Sequence, residues 1–290
     1  EVRGVTGGQV IGRAILQRVG IGEVFIIAGQ SNAQGLKKYP GPTAVDDRVQ
    51  YISNWINDDV DNLGDPETPI FSKITQDLQF MSPRGQSAWC WGLLGDMLVN
   101  QLNMPVLFVN TAWEGSSVEN WAKSSQGIAS SSPWGYPYPT QMPYANLRIA
   151  ARNYASQYGV RAVLWMQGES ETHLGRNETA PVANYRHNLQ TVINQLEGDI
   201  GNRVTWVIAR TSRIALTNST QNITNAGVIA QQNAVLDQPF NPTWPGPETD
   251  PLDPARLGMG DPGVIGDGTH FAGTQSLTLL ANAWKNSLNA

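Results

Sequence analysis

Four short runs of apolar residues form the strongest pattern along the chain. They are rich in β-branched and aromatic side chains and cover residues 24–28, 106–109, 162–166 and 204–209. A strand covered on one face alternates apolar and polar side chains, whereas a strand buried on both faces is continuously apolar. The four runs therefore predict strands in the middle of a sheet that is covered on both sides.

Amphipathic helical patterns lie between and after these runs. Within residues 183–196 one helical face carries Tyr185, Leu189, Val192, Ile193 and Leu196. The last helical segment has a similar face, formed by Leu277, Leu280, Ala281, Trp284 and Leu288, and Thr274 stands where an N-cap is expected. Alternating strands and helices are typical of parallel sheets flanked by helices. The pattern predicts an α/β fold, a three-layer α/β/α sandwich with a central parallel sheet.

Two long insertions and a distinct N-terminal segment interrupt this pattern. Residues 124–139 and 238–266 are rich in Pro, Gly and Ser, and loops of this kind are more often functional rims than linkers. Residues 1–20 are interpreted as an extended lead-in that belongs to a preceding module. Residues 21–290 are expected to form one catalytic domain, since 290 residues with 40% hydrophobic content can bury a large core.

Composition narrows the class of partner. The formal net charge is -5, only 15% of residues are charged, and no cluster of basic residues is long enough to indicate nucleic acid or a membrane surface. The single cysteine, Cys90, excludes an intrachain disulfide and a cysteine-based zinc site. No run approaches the roughly 18 apolar residues of a membrane span. These features favour a small neutral partner and predict no metal or other cofactor.

Polar residues follow three of the predicted strands. They are Gly29-Gln30-Ser31-Asn32 after the first strand, residues 110–121 after the second, and residues 167–171 after the third. Open parallel sheets bind ligands beyond the carboxyl ends of their strands, so these segments should meet at one edge.

A serine at this edge needs a base within hydrogen-bonding reach. The chain has three histidines: His173, His187 and His270. Asp267 precedes His270 by three residues, a spacing that lets a turn place the carboxylate against one ring nitrogen while the other faces a serine. The acid and the base would share one turn near the C-terminus, which disfavours an ordinary α/β-hydrolase.

Four motifs in this order resemble those of the SGNH (GDSL-like) hydrolases, within the sialate O-acetylesterase and acetylxylan esterase branch. They are Gly-Gln-Ser-Asn at 29–32, a glycine in the second block, Gln-Gly-Glu at 167–169 and Asp-x-x-His at 267–270. The resemblance implies a flavodoxin-like fold and the catalytic residues Ser31 as nucleophile, His270 as general base and Asp267 as its orienting acid.

The resemblance also implies an oxyanion hole and its supporting residues. The backbone amides of Ser31 and Gly115 and the side chain of Gln167 would form the hole. Gln30 and Asn32 are expected to hold the nucleophile turn in place. Two roles stay open for Glu169, which either supports the hole or competes with Asp267 as the partner of the histidine.

Further side chains around the loops have weaker signals. The aromatic residues that could stack on a sugar ring are Trp113, Trp134, Tyr136 and Trp165. Glu171 is interpreted as peripheral. Glu114 stays open between a functional role and a solvated carboxylate, because a charge beside the oxyanion donors would be costly unless it points outward.

These observations predict a serine carbohydrate esterase that removes O-acetyl groups from sugars through an acetyl-enzyme intermediate. Its expected partner is an acetylated carbohydrate, with no nucleic acid and no membrane, and its expected location is secreted, periplasmic or on the cell surface. Two alternatives remain: a non-catalytic carbohydrate-binding protein on an esterase scaffold, and a glycoside hydrolase that uses Glu169 with a second carboxylate.

Overall fold

The computed structural model of this chain contains a central seven-stranded sheet. The structure describes residues 1–15, 20–55, 67–155, 159–175, 180–215, 222–239, 241–252, 254–258 and 260–289. The strands in chain order are β1 (Val2–Thr6), β2 (Gln9–Ala14), β3 (Glu23–Gly29), β4 (Val49–Ile52), β5 (Phe71–Lys73), β6 (Val106–Asn110), β7 (Ala162–Met166), β8 (Trp206–Arg210), β9 (Ile214–Ala215), β10 (Asn222–Ile223) and β11 (Thr243–Glu248). Their order in the sheet is β11-β8-β7-β3-β6-β4-β5.

Helices connect most of these strands. They are α1 (Ser31–Gln34), α2 (Trp91–Leu102), α3 (Val118–Ser125), α4 (Tyr144–Ile149), α5 (Glu169–Leu174), α6 (Ala180–Ala183), α7 (Tyr185–Ile200), α8 (Ala226–Leu236) and α9 (Thr274–Leu288). A π-helical segment (Ala150–Ala155) continues α4, and a 3₁₀ turn covers Pro254–Leu257.

The two faces of the sheet bury two separate hydrophobic clusters. Along β3, Phe25 and Ile27 face the cluster that α2 and α9 cover, while Ile26 and Ala28 face the cluster that α3, α7 and α8 cover. Side chains alternate between the faces of a strand, so a strand in this position must be apolar throughout. The predicted three-layer α/β/α sandwich is confirmed, and the four predicted strands are β3, β6, β7 and β8.

The sheet is longer than the apolar runs indicate. All neighbouring strands of the sheet pair in parallel except β4 and β5, which are antiparallel at one edge. The other edge is β11, which lies inside the segment 238–266 that the sequence predicts as a loop. Pro245 and Pro247 conceal this strand in the sequence, because proline is tolerated only at a sheet edge where no partner needs its missing N–H.

The start of α9 differs from the prediction. Thr274 is the first helical residue and does not cap the helix, since the preceding position is Gly273 with a φ of +85°. Instead the carboxylate of Asp261 accepts a hydrogen bond from the backbone N–H of Gln275, at 2.9 Å. A side chain distant in sequence therefore satisfies one of the open donors of the first turn.

The segment predicted as a lead-in carries a β-hairpin. β1 and β2 pair antiparallel, and both strands are exposed along their length. The division of the chain at residue 20 stays a prediction. Among the described residues, no helix combines the length and the apolar character that crossing a membrane requires.

We predict that Leu280→Ala lowers the free energy of unfolding by about 2–5 kcal/mol, because truncating this fully buried leucine on α9 removes contacts and leaves a cavity. Leu279→Ala is the matched control: the neighbouring Leu279 is exposed, and a change within about 0.5 kcal/mol is expected. Urea unfolding of both variants checks the difference. Equal losses would contradict the packing of α9 against the sheet.

Candidate active site

The turn after β3 places Ser31 at the carboxyl edge of the sheet. Gly29 ends the strand with a φ of +131°, and a Cβ at that position would lie 2.0 Å from the carbonyl oxygen of Met166 in β7. The backbone N–H of Gln30 donates to the same carbonyl, at 3.0 Å. Only glycine fits so close to the neighbouring strand. The turn is thereby anchored to β7, and Ser31 begins α1.

Ser31, His270 and Asp267 form a continuous hydrogen-bonded chain. The Oγ of Ser31 lies 2.8 Å from Nε2 of His270, and Nδ1 of the same ring lies 2.7 Å from Oδ2 of Asp267. The other carboxylate oxygen accepts the backbone N–H groups of Thr269 and His270, at 2.9 and 2.8 Å. The structure thus brings the three predicted catalytic residues together, with the ring oriented by a local turn.

The environment of Asp267 favours its charged form. Burial raises the pKa of this carboxyl, but the hydrogen bond and charge of His270 and the two backbone N–H groups outweigh burial and hold the pKa at about 2. The carboxylate is therefore ionised at any pH near neutrality.

Asn32 connects the nucleophile turn to the histidine loop. Its Nδ2 donates to the carbonyl of Thr269, at 3.1 Å, and to the carboxylate of Glu169, at 2.8 Å. Its Oδ1 accepts the backbone N–H of Phe271, at 3.3 Å. One buried amide thus joins three segments that are distant in the sequence.

Glu169 belongs to a buried charged group below the histidine. Its Oε1 accepts from Asn32 and from Thr211, and lies 4.0 Å from a guanidinium nitrogen of Arg256. Arg256 is fully buried, also lies 4.0 Å from Asp250, and donates to the carbonyl of Thr269. The acid that contacts His270 is Asp267.

Arg256 was missed by the sequence analysis. It lies in a proline-rich segment without a motif, where an arginine is ordinarily solvated. Burial lowers the pKa of Arg256, and the charges of Glu169 and Asp250 oppose that effect. The guanidinium carbon of Arg256 lies 4.6 Å from the centroid of the Phe271 ring. The charge of Arg256 therefore lies directly under the histidine loop.

The side chain of Gln30 holds the loop after β7. Its Oε1 accepts the side-chain amide of Gln167, at 3.1 Å, and the backbone N–H groups of Gly168 and Ser170, at 3.3 and 3.2 Å. These contacts tie the nucleophile turn to the loop after β7, and the supporting role expected for Gln30 stays a prediction.

The side-chain amide of Gln167 is engaged by protein acceptors. Its Nε2 donates to Gln30, to the carbonyl of Ser116 at 3.2 Å, and to the carboxylate of Glu171. Two N–H bonds are shared among three acceptors. To donate to an oxyanion, Gln167 would have to release one of them, so its place in the hole stays a prediction.

Two backbone N–H groups remain available near Ser31. Among the hydrogen bonds of the described residues, none uses the N–H of Ser31 or of Gly115. Gly115 has a φ of +68°, and its loop is tied to the nucleophile turn because the Oγ of Ser116 approaches the carbonyl of Gly29, at 3.4 Å. The oxyanion hole that would use these two donors stays a prediction.

Glu171 is central, so the peripheral position predicted for it is wrong. It is buried, and it accepts the N–H of Val118 at 2.6 Å and the amide of Gln167. Burial raises the pKa of this carboxyl to about 7, although both hydrogen bonds favour the charged form. Glu171 thus joins the loop after β6 to the loop after β7. Its position in the sequence did not indicate this connection.

The aromatic residues divide into core and rim. Trp165 is fully buried against Trp121 and Trp206 and donates to the hydroxyl of Tyr185, so its predicted contact with a sugar is wrong. Trp113 is only 7% exposed and packs edge-on against Tyr138. Trp165 lies inside the apolar run 162–166 and Trp113 follows the run 106–109, whereas Trp134 and Tyr136 lie in the Pro- and Ser-rich insertion.

Trp134 and Tyr136 form the exposed part of this set, at 51% and 73%. The Trp134 ring stacks on His173, with 5.1 Å between centroids, and lies 3.1 Å from where a Cβ on Gly115 would stand. An exposed indole therefore borders the loop that carries Gly115. The third histidine, His187, is exposed on α7.

Comparisons with known proteins identify the family. The profile of the carbohydrate esterases described as sialic acid-specific acetylesterases matches residues 21–239. None of the curated proteins matches this sequence.

Similar solved structures share the fold. A carbohydrate acetylesterase from Xanthomonas citri superposes with a TM-score of 0.62 at 15% identity, over 92% of this chain and 56% of that protein. NanS superposes with a TM-score of 0.54 at 15% identity, over 93% and 97%. A protein from Arabidopsis thaliana gives 0.54 at 14% identity, over 92% and 97%. This chain thus spans little more than half the length of the Xanthomonas protein.

The family match covers most of the chain, and the fold and the motif order agree with it. The chain therefore belongs to the sialic acid-specific acetylesterase family of carbohydrate esterases.

Proposed function

We propose that this protein is a serine esterase that removes O-acetyl groups from sugar hydroxyls through an acetyl-enzyme intermediate. The observation that carries the proposal is the chain of two short contacts from Ser31 through His270 to Asp267, at 2.8 and 2.7 Å. Such a chain activates a serine hydroxyl, which is a weak nucleophile when it stands alone.

In the first step the Oγ of Ser31 attacks the acetyl carbonyl carbon, and Nε2 of His270 accepts the hydroxyl proton. The carbonyl oxygen becomes negatively charged, and Asp267 stabilises the imidazolium that forms. Collapse of the tetrahedral intermediate breaks the bond to the sugar oxygen, which receives the proton from His270. The acetyl group is now an ester of Ser31, and the deacetylated sugar leaves.

In the second step water replaces the sugar. The water oxygen attacks the acetyl carbon while His270 accepts a proton from the water. His270 then gives that proton to the Oγ of Ser31 as the acetyl group leaves. Acetate leaves and the free enzyme is restored. The N–H groups of Ser31 and Gly115 are the donors we assign to the oxyanion in both steps, with Gln167 as a third donor if it releases an acceptor.

Glu169 is a positioning residue in this proposal. It is 2% exposed and engaged with Asn32 and Arg256, so a sugar cannot reach it. This burial removes support from the alternative in which Glu169 cleaves a glycosidic bond. Its charge instead holds Asn32, which in turn holds the histidine loop.

Glu171 is a second positioning residue. It fixes the amide of Gln167 and the N-terminus of α3, and so joins the two loops that flank Ser31. Because a buried carboxylate of this kind is costly, we infer that it is retained for the geometry of the hole and not for stability.

An acetylated sugar is the substrate class that we propose. The exposed Trp134 and Tyr136 supply the apolar faces on which a pyranose ring stacks. The matched family is described as specific for sialic acid, and the Xanthomonas protein is described as a carbohydrate acetylesterase. An enzyme for such glycans would be secreted, periplasmic or on the cell surface, which we propose for this chain.

We predict that Ser31→Ala lowers kcat for p-nitrophenyl acetate by at least about 10³-fold, because it removes the hydroxyl that forms the acetyl ester. Circular dichroism should show an unchanged fold, and Ser287→Ala on α9 is the control that keeps its activity. Near-normal turnover by the folded Ser31 variant would remove the nucleophile assignment.

We predict that Asp267→Asn lowers kcat by about 10²–10⁴-fold at about pH 8. The pKa of about 2 keeps Asp267 charged at this pH, so the substitution removes a permanent negative charge that orients the ring and stabilises the imidazolium. Steady-state rates with p-nitrophenyl acetate check this, with the exposed Asp237→Asn as control. Near-normal turnover by the folded Asp267 variant would remove Asp267 from the role of orienting acid.

We predict that Glu171→Gln changes the pH dependence of stability. The folded-state pKa of about 7 for Glu171 lies above its unfolded value. The contribution of this carboxyl to the free energy of unfolding is therefore fully present below the unfolded pKa and is lost as pH rises through about 7. The variant lacks that loss. Its free energy of unfolding relative to wild type should therefore rise by more than about 1 kcal/mol between pH 5 and pH 8.

Urea unfolding at several pH values measures this difference. Glu119→Gln on the exposed face of α3 is the matched control and should leave the wild-type pH dependence unchanged. Parallel curves for Glu171→Gln and wild type would show that Glu171 does not titrate in this range.

A further inference from the structure

A polar cleft is lined in part by Gln86, which contacts the loop that carries Glu114 and Gly115. It has a volume of about 610 Å³, within the roughly 300–1,000 Å³ typical of ligand pockets. Amide and hydroxyl side chains dominate its wall, namely Thr43, Gln76, Gln79, Gln86 and Ser87. The sequence analysis did not single out this segment, because isolated glutamines in a polar region carry no motif.

The wall of the cleft is continuous with the loops around Ser31. The side chain of Gln86 donates to the carboxylate of Glu114, at 3.1 Å, and its backbone N–H donates to the carbonyl of Gln34, also at 3.1 Å. The backbone N–H of Glu114 donates to the side chain of Gln34, at 2.8 Å. Gln34 ends the helix that begins at Ser31, and Glu114 precedes Gly115. The wall of the cleft is therefore hydrogen-bonded to the two segments that carry Ser31 and Gly115.

The cleft is chemically suited to uncharged polyhydroxyl ligands. Glutamine amides donate and accept hydrogen bonds, as sugar hydroxyls do. The two charged residues of the wall, Lys37 and Asp77, have opposite signs and give it no net charge. Pro40 and Leu78 add apolar surface for the C–H faces of a sugar ring. An anionic or an apolar ligand would match this lining poorly.

One loop separates the cleft from the aromatic rim, by which we mean the exposed Trp134 and Tyr136. Glu114 contacts Gln86 of the cleft, while the next residue, Gly115, lies against the exposed Trp134. The surface that could contact a ligand thus extends on both sides of Gly115. A single acetylated monosaccharide needs less surface than this.

We propose that the cleft lined by Gln76, Gln79 and Gln86 is a binding site for neutral sugar units that adjoin the acetylated unit, so that the preferred substrate is an acetylated oligosaccharide or polysaccharide. The inference rests on the proposed esterase function. It adds the class of substrate, a glycan chain in place of a monosaccharide.

The test compares substrates of different length. We expect wild type to show a higher kcat/KM for acetylated xylo-oligosaccharides than for acetylated xylose, with acetate release as the measurement. In the double variant Gln76→Ala, Gln79→Ala the ratio of these two kcat/KM values should fall by about 10-fold, mainly through KM, because each lost hydrogen bond costs about 2- to 10-fold. Both side chains are exposed, so the fold should tolerate the change.

Gln9→Ala is the matched control, since Gln9 is an exposed glutamine on the N-terminal hairpin, and it should keep the wild-type ratio. A wild-type enzyme without a length preference, or a double variant that keeps the full ratio, would overturn the proposal. Failure of the esterase function has a different signature, namely full p-nitrophenyl acetate turnover by Ser31→Ala.

Discussion

The hydrogen bond between Ser31 and His270 joins residues that are 239 positions apart in the chain. It requires the end of β3 and the loop before α9 to stand at the same edge of the sheet within a few tenths of an ångström. Parallel strand order supplies that edge, because the carboxyl ends of β3, β6 and β7 lie side by side. Gly29 then lets the chain pass against Met166 without a side chain between them. The sheet thus determines where the serine lies, and the Asp267 turn determines how the imidazole faces it.

A buried polar network below the site maintains this geometry. Asn32, Gln30 and Gln167 each join two or three loops. Asn32 contacts the buried carboxylate of Glu169, and Gln167 contacts Gln30 and the buried carboxylate of Glu171. Buried charges are costly unless they are paired and hydrogen-bonded, and Arg256 partly compensates one of them. Such a network contributes little to stability in comparison with apolar packing. The network instead restricts the loops to one arrangement, in which the N–H groups of Ser31 and Gly115 donate no hydrogen bond within the described residues.

The surroundings of the site suggest how a substrate of some size would lie. The loop with Glu114 and Gly115 separates an exposed aromatic rim from a polar cleft, so stacking and hydrogen-bonding surfaces are available on its two sides. The acid Glu114 points outward, as the cost of a charge beside an oxyanion requires. Stacking and neutral hydrogen bonds are the interactions by which sugars are bound without net charge. Low charge and many amides in the composition agree with that mode of binding.

Local patterns in the sequence predicted the layer architecture and the central strands, through continuous apolar runs and helical periodicity. The three residues of the hydrogen-bonded chain were predicted from a serine directly after a strand, an aspartate three residues before a histidine, and the resemblance of four motifs to one family. The position of β11, whose prolines are acceptable solely at an edge, and the burial of Glu171 and Arg256 became apparent only in the folded structure. A side chain's burial depends on which distant segments pack over it, and no single stretch of sequence contains that information. For the same reason, motifs predicted which loops matter, whereas the contacts between the loops became visible only in the folded chain.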